Sequence, residues 1–182
     1  MRKQLLAARE ALRDADFAQL NAQLCAHLAG WLAAQDVRIL AFCWPWRGEP
    51  DVRGVVQDWL AADAQRRACL PVVTERNAPL TFRAWTPGAT MSADIMGIPV
   101  PGQGEVMHPA LIMIPVNGFD ARGFRLGYGG GYFDRTLAAL QPAPLTAGLG
   151  FELSRCERID EEAHDRPLDW LITEAGAQRA ER

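Results

Sequence analysis

The sequence predicts an α/β fold, a three-layer α/β/α sandwich around a mainly parallel, Rossmann-like sheet, in a single domain over residues 1–182. Short apolar runs alternate with segments of helical periodicity along the whole chain. The 182 residues, 49% of them hydrophobic, are enough for one core, and no linker, repeat or low-complexity tract divides them. A glycine-rich segment, residues 123–135, follows the most apolar run, residues 110–116, and leads into a helical segment. Ligands of parallel α/β sheets bind at such loops, beyond the carboxyl ends of the strands.

Hydrophobic spacing predicts four helices. Residues 2–13 are rich in Ala, Leu, Arg and Gln, which favour helix. Asp14 or Asp16 is suited to cap a second helix that extends to about residue 34. Its apolar side chains recur at three- and four-residue steps and form one face, namely Phe17, Leu20, Leu24, Leu28, Trp31 and Leu32. Two further helices are predicted over 51–66 and 132–140.

The short apolar runs between these helices are predicted strands. They cover residues 37–44, 68–73, 80–85, 110–116, 145–151 and 170–174. The run 110–116 is the most apolar, and we expect it to be the most buried strand. Residues 86–109 are rich in Gly and Pro and are predicted to be irregular. Long irregular segments in compact domains often belong to a functional site.

Composition argues against several classes of protein. A net charge of -3 does not fit the basic surface of a nucleic-acid-binding protein. No apolar run approaches the roughly 20 residues that span a bilayer, and the first ten residues are amphipathic, unlike a signal peptide. The four cysteines form no CxxC pair, which argues against structural zinc and favours free thiols in a reducing cytosol. We therefore expect a cytoplasmic monomer that binds small molecules, with no nucleic-acid or membrane partner.

The segment GFRLGYGGGYFDR, residues 123–135, concentrates the groups that bind nucleotide phosphates. Glycines allow successive backbone N–H groups to converge on an anion, and a helix that begins near Tyr132 adds further N–H groups. Arg125 supplies bidentate charge, and Asp134 is suited to hold Mg²⁺. Three aromatic side chains can stack on a flat ring, namely Tyr128, Tyr132 and Phe133. The segment matches neither GxxxxGK[ST] nor GxGxxG, so a merely flexible loop remains an alternative.

The longer stretch GFDARGFRLGYGGGYFDRTL, residues 118–137, resembles the signature of the 5-formyltetrahydrofolate cyclo-ligase family, also called 5,10-methenyltetrahydrofolate synthetases. The resemblance extends to RKQLLAAREAL at 2–12, FCWPWRGEPDV at 42–52 and the segment 148–174. It thus covers nearly the whole chain. The glycine-rich signature together with HDRPLD, at 164–169, is more specific than either motif alone.

The resemblance implies a three-layer α/β enzyme that converts 5-formyltetrahydrofolate and ATP, its co-substrate, to 5,10-methenyltetrahydrofolate, ADP and phosphate with Mg²⁺. The ATP-binding residues that it implies are Arg2, Arg125, Leu126, Gly127, Tyr128, Gly129, Gly130, Gly131, Tyr132 and Phe133. The implied folate contacts are Trp44, Glu49, Tyr128, Gly129, Gly130, Gly131 and Tyr132. The implied magnesium ligands are Asp134 and Asp165, and the catalytic residues are Arg125 and Tyr132.

Simpler structural roles stay open for several of these residues. Glu49, between Gly48 and Pro50, has the sequence context of a solvated turn residue. Trp44 suits core packing, Asp134 the first turn of a helix, and Asp165 the capping of a turn. Two arginines beside the motifs, Arg47 and Arg122, are interpreted as surface charges.

Two functional alternatives also stay open. The chain has Gly130 where some family members carry lysine, and no lysine precedes Arg2. A catalytically weak relative that binds folate or nucleotide as a sensor or reservoir is therefore the alternative to the enzyme. An unrelated α/β enzyme, such as a sugar-phosphate isomerase, would require a glutamate or lysine base in the cleft, and the sequence shows no such signature.

Overall fold

The structure is a computed structural model and describes residues 1–181. Its α-helices are Arg2–Glu10 (α1), Asp14–Ala33 (α2), Arg53–Ala61 (α3) and Tyr132–Ala139 (α4), with a 3₁₀ turn at Glu152–Ser154. Its first strands are Ile39–Ala41 (β1), Arg67–Val72 (β2), Thr81–Trp85 (β3), Met91–Ala93 (β4), Pro99–Pro101 (β5) and Leu111–Pro115 (β6). The remaining strands are Gly118–Phe119 (β7), Arg125–Leu126 (β8), Leu145–Leu149 (β9), Trp170–Thr173 (β10) and Gly176–Arg179 (β11).

Seven strands form one sheet in the order β11-β10-β9-β6-β1-β2-β3. The five inner strands are parallel, and the two edge strands, β3 and β11, pair antiparallel with their neighbours. β6 lies at the centre and is buried from Leu111 to Ile114, as predicted for the most apolar run. The predicted α/β class with a mainly parallel sheet is therefore confirmed.

The central strand shows why the fold has three layers. Side chains alternate between the two faces of a strand. Leu111 and Met113 of β6 face a core that α2 and α3 cover. Ile112 and Ile114 face a second core, against which Leu137 of α4 packs. Because both faces of the inner strands are buried, these strands are mainly apolar.

Several local predictions differ from the structure. Residues 86–109 are not wholly irregular, because β4 and β5 pair as an antiparallel hairpin within them. Strands of three residues beside Gly and Pro carry too little periodicity to be recognised. The exposed edge strand β11 was missed because its residues are mostly polar and exposed. The helices α1 and α3 are also shorter than predicted, since each ends in an αR residue followed by a turn.

The predicted cap of α2 is wrong. Arg13 occupies the N-cap position, and Asp14 and Asp16 lie within the first turn. Asp16 instead accepts hydrogen bonds from the Arg13 side chain, at 2.7 and 2.9 Å. Both carboxylates still lie where the positive end of the helix dipole favours them.

The four cysteines are free thiols. Cys69 is buried, and Cys25, Cys43 and Cys156 are half-buried. Over residues 1–181, the structure contains no helix with the length and apolar character needed to cross a membrane.

An ion-pair network around one buried carboxylate fixes the β7–β8 hairpin that precedes the glycine-rich loop. Asp120 is fully buried and accepts a hydrogen bond from Arg122 at 2.8 Å and another from the Ile159 N–H at 3.0 Å. Arg122 also pairs with Glu161 at 2.9 Å, and its side chain is only 28% exposed. The interpretation of Arg122 as a surface charge is therefore wrong. Sequence reasoning missed its role because Glu161 is 39 residues away.

Gly123 lets this hairpin approach the segment that leads into β10. Its backbone has φ of +85°, in the left-handed region, and its carbonyl accepts the Leu168 N–H at 2.9 Å. A Cβ on Gly123 would collide with the Leu168 carbonyl oxygen and lie 3.0 Å from the Ala180 Cβ. Only glycine meets both requirements without strain.

We expect Gly123→Ala to lower the free energy of unfolding by about 2–4 kcal/mol, because it adds both backbone strain and a collision. Urea denaturation measures this change. Gly30→Ala is the matched control, since Gly30 lies in α2 with nothing within 4 Å of the added Cβ. The control should gain up to about 1 kcal/mol. Equal stabilities of the two variants would contradict the account of Gly123.

Candidate active site

The glycine-rich loop lies beyond the carboxyl end of β6, as predicted. The β7–β8 hairpin intervenes, and the loop then leaves β8 and enters α4 at Tyr132. Gly129 and Gly131 have φ of +89° and +61°, so the backbone turns through the left-handed region twice. Gly131 is the N-cap residue of α4. The first N–H groups of this helix are thus directed towards the loop.

Two guanidinium groups lie against this loop. Arg2 Nη1 would be 3.3 Å from a Cβ on Gly129, so the start of α1 is beside the loop, as the family resemblance implies. Arg135 donates from Nη2 to the Gly130 carbonyl at 2.5 Å and lies over the Tyr132 ring, 5.1 Å from its centroid. The loop is therefore surrounded by positive charge on a protein of net charge -3.

Arg125 and Asp134 form an ion pair beneath the loop. Arg125 Nη2 lies 2.7 Å from Asp134 Oδ1, and the two side chains are 7% and 19% exposed. Arg125 Nη1 also donates to the Arg166 carbonyl at 2.6 Å, and the Arg166 N–H donates to Asp134 Oδ1 at 3.3 Å. The pair thus joins the beginning of the loop, the first turn of α4 and the segment before β10.

The two predicted magnesium ligands lie on adjoining segments. Asp165 directly precedes Arg166, whose N–H contacts Asp134. Asp165 Oδ2 also accepts the Glu162 N–H at 2.8 Å, which is the turn-capping contact expected of the structural alternative. Among residues 1–181, no three His, Cys, Asp or Glu side chains cluster closely enough to hold a metal ion. A Mg²⁺ ion here would take its other ligands from phosphate oxygens and water.

Glu49 is buried, which contradicts its interpretation as a solvated turn residue. Its exposed fraction is 4%. Oε1 accepts the Tyr128 hydroxyl at 2.9 Å, Oε2 accepts the Trp46 N–H at 3.1 Å, and Arg9 Nη2 lies 4.0 Å from Oε1. Burial raises the pKa of Glu49 to about 7, although the Tyr128 hydrogen bond and the Arg9 charge oppose that rise.

Trp44 lies in a different environment from Glu49. It lines a cavity of about 450 Å³ together with Asp51, Arg53, Gly54, Gln57, Trp85, Pro87, Ala89 and Met91. The Arg53 guanidinium lies 4.6 Å from the centroid of the Trp44 ring. None of the residues that line this cavity belongs to the glycine-rich loop. The structure therefore brings Glu49, but not Trp44, into hydrogen-bond contact with that loop.

The aromatic residues of the loop differ in exposure. Tyr128 is 49% exposed, although its hydroxyl points inward to Glu49. Phe133 is half-buried and packs against the second core beside Leu137. The ring of Phe133 thus belongs to the α4 packing surface.

A model of the 5-formyltetrahydrofolate cyclo-ligase family matches residues 1–174. The chain belongs to this family. A 5-formyltetrahydrofolate cyclo-ligase of Mus musculus is 35% identical over 85 residues, which are 41% of this chain and 42% of that protein. The cyclo-ligase of Haemophilus influenzae is 25% identical over 158 residues, 82% of this chain and 83% of that protein.

Solved structures of cyclo-ligase relatives share the fold. The 5,10-methenyltetrahydrofolate synthetase of Aquifex aeolicus superposes with a TM-score of 0.83 at 26% identity, over 100% of this chain and 91% of that one. The 5,10-methenyltetrahydrofolate synthetase of Mycoplasma pneumoniae has a TM-score of 0.76 at 23% identity, with 95% and 96% covered. The resemblance found in the sequence is therefore confirmed, and so is the fold that it implied.

Sequence reasoning missed two arginines that contact the glycine-rich loop, Arg9 and Arg135. Arg135 is the last residue of the glycine-rich segment 123–135, and its position four residues after Gly131, one helix turn on, was an available signal. Arg9 lies in α1, 40 residues before Glu49. The family resemblance covers this helix but assigned no role to Arg9. No local pattern indicates that a helix-surface arginine will be buried at 2% exposure.

The raised pKa of Glu49 has a consequence for stability. Because the folded-state pKa of about 7 exceeds the ordinary 4.5, the folded protein retains a proton that the unfolded chain loses. The free energy of unfolding contributed by Glu49 therefore falls as pH rises through 4.5 to 7. Glu49→Gln removes this titration.

We expect the stability of Glu49→Gln relative to wild type to increase by about 2–3 kcal/mol between pH 5 and pH 8. Urea denaturation at the two pH values measures this difference, and Glu105→Gln at an exposed surface pair is the matched control. A relative stability of Glu49→Gln that stays constant with pH would show that the carboxyl titrates normally.

Proposed function

We propose that this protein is an ATP- and Mg²⁺-dependent 5-formyltetrahydrofolate cyclo-ligase. It converts 5-formyltetrahydrofolate and ATP to 5,10-methenyltetrahydrofolate, ADP and phosphate. We further propose that it works as a cytoplasmic monomer on these small molecules. The free thiols and the absence of a basic nucleic-acid-binding composition support this setting.

One hydrogen bond carries the proposal. The Tyr128 hydroxyl donates to Glu49 Oε1 at 2.9 Å across 79 residues of sequence. Tyr128 belongs to the loop suited to nucleotide phosphates, and Glu49 is the carboxylate suited to the N–H groups of a pterin ring. Their contact supports a single site in which the two substrates lie side by side, as a phosphoryl transfer between them requires.

The positive groups around the loop suit the ATP phosphates. The loop N–H groups and the beginning of α4 form an anion-binding surface, and Arg2 and Arg135 flank it. Arg125 is fixed by Asp134 and by the Arg166 carbonyl, so its remaining donors have a defined direction. Fixed charge of this kind stabilises a transition state more than mobile charge does, because no reorganisation is needed.

Asp134 and Asp165 would hold the Mg²⁺ ion that accompanies the nucleotide. Their oxygen ligands, few in number, suit an ion that keeps several waters and binds phosphate. When bound, Mg²⁺ supplies charge neutralisation to the β- and γ-phosphates. The Arg125–Asp134 ion pair keeps the Asp134 carboxylate at the first turn of α4 for this purpose.

The reaction needs positioning and charge stabilisation but no protein nucleophile. The formyl oxygen of the substrate attacks the γ-phosphorus, the bond to ADP breaks, and the formyl carbon becomes a phosphorylated imidate. N10 then attacks that carbon and loses its proton, and the carbon–oxygen bond breaks to release phosphate. Both steps involve charge on phosphate oxygens, and we propose that the arginines beside the loop stabilise it.

A direct assay tests the proposal. Purified protein is mixed with ATP, Mg²⁺ and 5-formyltetrahydrofolate, and the absorbance of the methenyl product is followed. Product that depends on ATP and on enzyme concentration supports the cyclo-ligase. Absence of product at high enzyme concentration, with folate binding intact by calorimetry, supports the binding-only alternative instead.

We expect Arg125→Ala to lower kcat by about 30- to 1,000-fold, because it removes one fixed donor worth about 2–4 kcal/mol in the transition state. The matched control is Arg67→Ala, whose guanidinium pairs with Glu105 on the surface. The control should keep the wild-type rate. A wild-type rate in Arg125→Ala, in a protein that is folded by circular dichroism, would remove Arg125 from the site.

We expect Asp134→Asn to raise the Mg²⁺ concentration needed for half-maximal rate, since an amide is a weaker ligand than a carboxylate for this ion. A magnesium titration of the initial rate measures the change, with Asp16→Asn on the surface of α2 as the control. An unchanged magnesium requirement would mean that Asp134 serves only to fix Arg125.

A further inference from the structure

Arg9 is the most deeply buried charged side chain of this site. It is 2% exposed and lies on α1. Its guanidinium donates to the Arg47 carbonyl at 3.1 Å, to the Val116 carbonyl at 3.2 Å and to the Tyr128 hydroxyl at 2.9 Å. One side chain therefore contacts the turn that carries Glu49, the end of the central strand region and the glycine-rich loop.

The chemistry of the guanidinium fixes the direction of the next hydrogen bond. Arginine has five donors and no acceptor, so the Tyr128 oxygen must accept from Arg9. The hydroxyl proton is then free for one other partner, and Glu49 Oε1 lies 2.9 Å away. Tyr128 is thus a donor to Glu49, and the order of donation runs from Arg9 through Tyr128 to Glu49.

This arrangement leaves a defined part of the Glu49 carboxylate for a ligand. Oε1 accepts from Tyr128 and Oε2 accepts from the Trp46 N–H. Each carboxylate oxygen has two acceptor positions, so one position on each oxygen remains for the N–H groups of a guanidine-like edge. The hydrogen bonds from Tyr128 and Trp46 fix the orientation of the carboxylate plane, and those two positions lie in that plane.

We propose that Arg9 is a positioning residue for the folate site, which orients the Tyr128 hydroxyl as a donor and thereby holds Glu49 as the acceptor for the pterin N–H groups. This inference rests on the proposed function, because it assigns Glu49 to the folate. It goes beyond that function in giving a role to a helix residue that does not itself contact substrate.

The charged and titratable groups around Glu49 and its partner Tyr128 are Arg9, Cys43 and Arg47. Arg9 from α1 and the Tyr128 hydroxyl from the loop favour the carboxylate. The Cys43 thiol lies close enough that Glu49, after burial, raises its pKa. Arg47 faces Tyr128, and its charge is offset by Glu10 at 2.5 Å. Against the cost of burial, Arg9 and Tyr128 are therefore the two side chains that stabilise the ionised form of Glu49.

A titration of the ligand-free protein tests the positioning role. The protein is labelled with [¹³C]glutamate, and the Glu49 carboxyl resonance is assigned by its absence from Glu49→Gln. We expect a midpoint near pH 7 in wild type. Arg9→Met and Tyr128→Phe should each raise the midpoint by about one pH unit, and Arg9→Lys should restore most of the difference. Arg13→Met, at an exposed ion pair, is the matched control and should leave the midpoint unchanged.

Folate affinity provides the second readout. The Kd for 5-formyltetrahydrofolate is measured by calorimetry from pH 6 to pH 8. Protonated Glu49 cannot accept both pterin N–H groups, so a midpoint raised by one pH unit in Arg9→Met should weaken binding about fivefold at pH 7 and about twofold at pH 8. A merely structural role would weaken binding equally at all pH values. The variant Arg9→Lys should restore the wild-type pH profile.

Each outcome decides between the alternatives. Shifted midpoints together with a pH-dependent loss of folate affinity support the positioning role. Unshifted midpoints in Arg9→Met and Tyr128→Phe overturn it, as does a loss of affinity that is constant with pH. If Arg9→Met does not fold, the shifted or unshifted midpoint of Tyr128→Phe decides in the same way. A wild-type protein that makes no methenyl product overturns the proposed enzyme but leaves the titration to decide the role of Arg9 towards Glu49.

Discussion

Burial of the Glu49 carboxylate costs solvation free energy, and the groups that offset this cost also join the parts of the site. The Tyr128 hydroxyl, the Trp46 N–H and the Arg9 guanidinium come from three separate segments. A buried carboxylate without such donors would remain protonated or would destabilise the fold. The turn, the first helix and the glycine-rich loop therefore meet at one carboxyl group, whose cost of burial their donors partly offset.

The same logic explains how a mildly acidic protein can present a candidate anion site. Net charge does not create the site, since acidic residues outnumber basic ones, 22 to 19. Local charge does, because Arg2 and Arg135 lie against a loop whose glycines leave its N–H groups accessible. Arg125 adds charge whose direction is fixed by Asp134. Preorganised donors of this kind act over short distances, where screening by salt is weakest.

The position of the loop depends on contacts that lie outside it. The fully buried Asp120 binds Arg122 and the Ile159 N–H, and this network ties the β7–β8 hairpin to the segment that contains Asp165. Gly123 permits the close approach to Leu168 on the same side. The glycine-rich loop and the candidate metal ligands are thus set relative to one another by the ion pair of the buried Asp120 with Arg122 and by a glycine.

Local pattern was enough to determine the α/β class, the parallel core strands and the loop beyond the most apolar strand, because periodicity and glycine content are properties of neighbouring residues. The resemblance of residues 118–137 to a known signature added the family to which the chain belongs. Only the tertiary structure decided that Glu49 is buried, that Arg9 reaches Tyr128 across 119 residues, and that Trp44 lies in a separate cavity. These features depend on contacts between distant segments, and a buried polar group gains its hydrogen-bond partners only when the fold brings those segments together.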